Sequence, residues 1–114
     1  WLLDESHETE VENLIFCFVH FTDSMSGTRI FFVPANVVSH VITISNQIYL
    51  AIPGRNGIQR RGSSRRTLEE DFSILTRNVA NTSDFLTRTQ IRFLSEHSLG
   101  WLDRYENNFD IFKT

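Results

Sequence analysis

Five arginines, Arg55, Arg60, Arg61, Arg65 and Arg66, crowd residues 54–66, where Gly54, Gly57, Gly62, Ser63 and Ser64 leave Ile58 as the one apolar residue. A guanidinium is a planar fork that meets phosphate or carboxylate bidentately, and it stays charged at any physiological pH. Several of them on a Gly/Ser-rich loop suit a phosphate backbone, with binding that weakens steeply as salt rises. These five are therefore the candidate nucleic-acid-binding residues. No aromatic side chain interleaves them, so the loop by itself offers no platform for stacking bases. The competing use of the loop is contact with acidic neighbours of its own chain, or with a partner subunit.

The remaining chemistry-bearing residues fit known constellations poorly. Glu69, Glu70 and Asp71 form a tight acidic run beside the arginines. Carboxylate pairs hold the Mg²⁺ used to cut phosphodiesters, but anions in a helical first turn also face the positive end of the helix dipole. The second role is favoured here. Cys17 and His20 have a Cys-x-x-His spacing, yet an offset of three puts them on opposite faces of a strand, and His7, His40 and His97 complete no zinc pattern. Cys17 reads as a small apolar filler of a buried strand. No nucleophile elbow and no phosphate-cradling glycine pattern occurs. Asp103, Glu106 and Asp110 share a helical face as a solvated stripe. No catalytic, cofactor-binding or metal-ligating residue is assigned.

Residues 14–21 are an unbroken apolar and aromatic run of strand length, apolar on both faces and so expected to be covered on both. After turn chemistry at 22–28, Arg29–Val33 makes a second strand, and the pair reads as an antiparallel hairpin with Phe18 and Phe32 in the core. Residues 35–52 are ambiguous. Apolar residues recur at three- and four-residue spacing, favouring a helix over at least 35–44 capped near Asn36, whereas the β-branched content of 37–44 favours two short strands. Pro53-Gly54-Arg55-Asn56-Gly57 marks a turn. Thr67 and Glu70 have capping-box spacing and open a short helix carrying Leu68, Phe72 and Leu75. Ser83 or Asp84 caps a helix over roughly 85–98, Gly100 ends it, and aromatics at 101, 105, 109 and 112 give a last helical turn or two. Residues 1–12 read as a ragged lead-in or frayed helix. The fold class expected is α+β, a small antiparallel hairpin packed against about three helices.

With 114 residues, the chain fits one small domain spanning 1–114. At 40% hydrophobic and 12% aromatic it has enough apolar surface to fold. One cysteine excludes an internal disulfide and fits a reducing, cytoplasmic setting. No apolar run is long enough to span a bilayer, so no membrane partner is expected. The net charge of −3 conceals strong segregation. Residues 1–23 hold six acids and no Lys or Arg, whereas residues 24–68 hold six arginines and no acid. That asymmetry fits an anionic partner for the middle segment, or an acidic head folded back onto the basic loop.

The order of short motifs adds a resemblance. Phe-Val-His-Phe at 18–21 is followed by Arg-Ile-Phe-Phe-Val-Pro-Ala-Asn-Val-Val-Ser at 29–39 and Tyr-Leu-Ala-Ile-Pro-Gly-Arg-Asn-Gly at 49–57. Trp-Leu-Asp-Arg-Tyr-Glu-Asn-Asn-Phe-Asp-Ile-Phe follows at 101–112. Over residues 14–52 and 101–112 this resembles the C-terminal half of bacterial proteins of the restriction-endonuclease-like (PD-(D/E)xK) nuclease superfamily, with the Val-Pro and Pro-Gly-Arg-x-Gly pieces most telling. In that superfamily an acidic residue and a Glu-x-Lys pair precede the strand that 14–21 resembles. This sequence has no Glu-x-Lys or Asp-x-Lys, and its only lysine is Lys113. Starting at Trp1, the chain is then expected to be a fragment without the catalytic half, and the Mg²⁺ site belongs to that half. The resemblance implies a DNA partner met through the arginine loop. The alternative is a non-enzymatic interaction module that forms homo-oligomers through an exposed hairpin edge.

Overall fold

Two antiparallel strand pairs and two α-helices make up the described part of the chain, residues 1–9, 13–21 and 27–109 of a computed structural model. In order they are β1 (Leu2–Asp4), β2 (Ile15–His20), β3 (Arg29–Pro34), α1 (Ala35–Ala51), β4 (Arg65–Thr67) and α2 (Arg88–Glu96). Short 3₁₀ segments lie at Glu5–Glu8, Phe72–Thr76, Thr82–Asp84 and Asp103–Tyr105. The α+β class expected from the sequence holds, with two α-helices among the described residues rather than about three.

β2 and β3 form the expected hairpin, with Phe18 opposite Phe31 and His20 opposite Arg29. Alternation sends Phe18, Phe31 and Val33 inward, where all three are buried. The opposite face is less covered than the unbroken apolar run predicts. Cys17 is exposed, and Phe32 is only half-buried, its ring 5.3 Å from that of Phe109. This hairpin packs one face against α1, so Phe31 takes the core place expected of Phe32. Of the turn expected at 22–28, residues 22–26 lie outside the described residues, as do Glu10 and Glu12 of the acidic head and Asp110 and Phe112 near the end.

α1 begins directly after Pro34, whose ring cannot continue the strand ladder. No side chain caps it, so the Asn36 expectation fails. Instead the Ala35 amide, one of the donors that an α-helix leaves unpaired, bonds to the Leu14 carbonyl at 3.0 Å and fixes the helix to β2. Val38, Val41, Ile42, Ser45 and Ile48 are buried at three- and four-residue spacing, which resolves residues 35–51 as helix despite their β-branched content. Both core clusters rest on α1. Val38 and Ile42 join Phe18, Phe31, Val33, Leu68 and Leu102 on one side. Val41, Ile48 and Ile52 join Phe72, Leu86, Phe93 and Leu94 on the other. Pro53 ends the helix, and Asn56 and Gly57 turn the chain with φ of 59° and 73°, as the Asn-Gly pair predicts.

Beyond this point sequence expectation and structure part more often. Thr67 caps no helix; it ends β4, which pairs antiparallel with β1, Leu3 opposite Arg66 and Asp4 opposite Arg65. The pairing runs one residue further, the Leu68 amide donating to the Trp1 carbonyl at 2.8 Å. Residues 1–12, expected as a lead-in or frayed helix, thus contribute a strand. The next 3₁₀ turn is capped by Asp71, whose carboxylate accepts from the Ser73 amide. α2 starts later than expected, because its cap is not Ser83 or Asp84 but Thr87, which forms a capping box with Gln90. Among the described residues the last aromatic stretch holds one 3₁₀ turn, and Trp101 and Tyr105 pack onto the first core cluster.

Candidate nucleic-acid interface

α1 and the segment that returns to β4 enclose a cavity of about 520 Å³. Ser45, Asn46 and Tyr49 supply the α1 wall; Arg61, Ser63, Arg65 and Arg66 supply the opposite one. Phe72 and Leu75 add an apolar side, and Glu69 completes the lining. Alternation along β4 gives its two arginines different burial: Arg65 is exposed and Arg66 turns inward.

The five candidate arginines have different environments. Arg55 is exposed on the Asn-Gly turn and does not line the cavity. Arg60 is half-buried, its guanidinium 4.2 Å from the Tyr49 ring centroid and Nη1 donating to the Tyr49 carbonyl at 3.1 Å. Arg61 and Arg65 are exposed and make no ion pair among the described residues. Arg66 is only 9% exposed. Its Nη1 donates to the carbonyls of Ser63 and Arg65 at 2.6 and 2.8 Å, and its Nη2 to Glu8 at 3.2 Å, with Glu5 at 3.9 Å. Its Nε is buried with no acceptor. Of the two uses expected of the arginine stretch, contact with the chain's own acids is seen at Arg66. The acidic head folds back onto Arg66, and the neighbouring arginines face outward.

The acidic run 69–71 does not converge. Asp71 accepts from the amide and hydroxyl of Ser73 at 3.0 and 2.6 Å, and these bonds hold its carboxyl below the ordinary range. Glu70 meets His20 Nδ1 at 2.6 Å, whereas Glu69 lines the cavity. Asp103 and Glu106, expected as a solvated stripe, both bind Arg29, at 2.9 and 2.6 Å. That pairing raises the Arg29 pKa further, chiefly through Glu106. Among the described residues no three His, Cys, Asp or Glu side chains gather as a metal site, and no helix is long and apolar enough to cross a membrane. Tyr49 is the site residue that the sequence reading missed. It lies outside the arginine stretch, and only the return of the loop against the last turn of α1 brings it to Arg60.

His97 has a measurable consequence. Nδ1–H donates to the Phe93 carbonyl at 2.8 Å, and the ring stacks on Phe93 with centroids 4.1 Å apart, near Trp101 and Phe72. Burial lowers its pKa from the ordinary 6.5. The unfolded chain therefore takes up a proton that the folded one resists, and the stability contributed by neutral His97 is lost as pH falls below 6.5. The drop in melting temperature from about pH 7.5 to about pH 5.5 should be smaller in His97→Phe than in the native chain. An equal drop in both would remove His97 as the cause.

Compared with family models, with curated proteins and with solved structures, the chain finds no match.

Proposed function

We propose that the chain binds DNA through phosphate contacts made by Arg60, Arg61 and Arg65, with Arg55 at the margin and Arg66 holding the loop against the protein body. The carrying observation is that Arg61 and Arg65, both exposed, share one cavity wall with the inward-turned Arg66. Two exposed guanidinium groups on one wall are free to meet the same phosphate backbone, each able to make a bidentate contact. The resemblance of residues 14–52 and 101–112 to nuclease-like proteins supports DNA as the anion. This reading gives the chain a binding role and assigns it no catalytic residue or Mg²⁺ site.

Fluorescence anisotropy with a labelled oligonucleotide tests it. Binding should fall steeply with salt, and replacing Arg60, Arg61 and Arg65 together by Gln should flatten the salt slope by about 2–3, since each lost phosphate contact removes roughly 0.7–0.9. Arg66 stays in place because its removal perturbs the fold. No binding at low salt, or binding untouched by the triple substitution, would sink the proposal.

Self-association through β2 is the second reading. Among the described residues β2 pairs with β3 alone, Cys17 is exposed at its middle and the Trp1 indole covers only its Val19 carbonyl; an open strand edge invites another strand. A sedimentation coefficient independent of concentration would count against it.

A further inference from the structure

The cavity is larger than a phosphate requires. At about 520 Å³ it falls within the roughly 300–1,000 Å³ range of small-molecule sites, and its wall is chemically divided. Arg61 and Arg65 line one part, Tyr49 and Leu75 offer apolar surface, and Glu69 adds an acceptor. A bare phosphate would use only the arginines and would gain nothing from the apolar side. A base supplies the missing complement, because it has an apolar face and, in cytosine, an exocyclic amine that donates to a carboxylate. Tyr49 is 41% exposed, and the Arg60 guanidinium held against its ring restrains it. Base contact on aromatic and guanidinium planes is the usual way in which unpaired strands are held.

We infer that the cavity seats one unpaired nucleotide, its phosphate at Arg61 and Arg65 and its base between Tyr49, Leu75 and Glu69, so that the DNA recognised is single-stranded. This rests on the proposed phosphate-binding role and narrows it. In a duplex the bases remain stacked inside, and only the backbone could reach the arginines.

The test compares three ligands of equal length: a single-stranded cytosine oligonucleotide, the same strand made abasic throughout its centre, and its duplex. The native chain should bind the intact single strand about tenfold more tightly than either of the others, the scale of one stacked base. Asn46→Leu, which alters the cavity wall and leaves every arginine in place, should bring the three affinities together, with a circular-dichroism melt checking that the fold is retained. Equal affinities in the native chain, with binding still dependent on Arg60, Arg61 and Arg65, overturn the inference and leave the phosphate-binding role standing. Loss of arginine dependence overturns both.

Discussion

Phe31→Ala should lower the stability of the domain by about 3–5 kcal/mol, the usual range for a buried aromatic truncated to a methyl. Phe31 is 1% exposed. It shares one buried cluster with Val33, Val38, Ile42, Leu68 and Leu102, its ring lies edge-on to Trp1, and the Arg29 guanidinium sits 5.1 Å from its centroid. Strand, helix and the two chain segments around 68 and 102 therefore contribute to the cluster that its truncation would leave with a cavity. A loss of that size is a large share of the roughly 5–15 kcal/mol available to a domain. Urea unfolding followed by tryptophan fluorescence measures it. Phe32→Ala is the internal comparison, because that ring is half-buried against Phe109 and should cost clearly less. Equal losses for the two variants would mean that the sheet is packed on both faces.

Arg66→Ala should cost about 1–3 kcal/mol, whereas Arg65→Ala, one residue away and exposed, should stay within about 0.5 kcal/mol. The contrast follows from the strand alternation that turns Arg66 inward. Its removal leaves the Ser63 and Arg65 carbonyls without their donor and leaves Glu8 facing no charge. Glu8 is 27% exposed, so water screens part of that loss, and the range is set below that of a fully buried pair. Arg66→Met should fall between native and Ala, because it refills the volume and removes the buried Nε that has no acceptor. Combining Arg66→Met with Glu8→Gln should destabilise less than the two single losses added together. Thermal melts of this series decide the matter. If Arg66→Ala matches Arg65→Ala, the acidic head contributes nothing through this contact.

The elements with a strong local signal were legible in the sequence. The hairpin is two apolar runs around turn residues, and the Pro-Gly-Arg-Asn-Gly turn contains the two residue types that adopt positive φ most readily. The helix at 35–51 was harder, since its β-branched content pulls toward strand; burial of Val38, Val41, Ile42 and Ile48 on one stripe outweighs that preference. The pairing of β1 with β4 was not legible as structure. Leu2–Asp4 and Arg65–Thr67 are three residues each with no alternation to read, and register comes from partners far along the chain. Its trace in the sequence was electrostatic, an acidic head and an arginine-rich middle, from which Glu5 and Glu8 meet Arg66. The capping signal at Thr67 was misread for a related reason. Its spacing to Glu70 matches a box, but the Leu68 amide is taken by Trp1, which keeps the backbone extended there. Of the candidate site, the arginine stretch could be found by composition, whereas the cavity and Tyr49 depend on how the loop returns to α1.

The joining of Trp1 to Leu68 spans 67 residues of sequence, whereas the hairpin and α1 are contiguous from 15 to 51. Closing a long loop costs entropy before its contacts form, and the cost is small only once the ends already lie near each other. The order of assembly then follows. By this argument hairpin and helix are expected to form first, and the head to dock last onto them. Opening should run the same course in reverse, so in native-state hydrogen exchange the amides of Leu68 and Glu5 should open below the free energy of the β2–β3 ladder. The arginine wall formed by residues 61–66 would then gain its final geometry in the same late step, which makes the head the part of the chain that decides when the cavity exists.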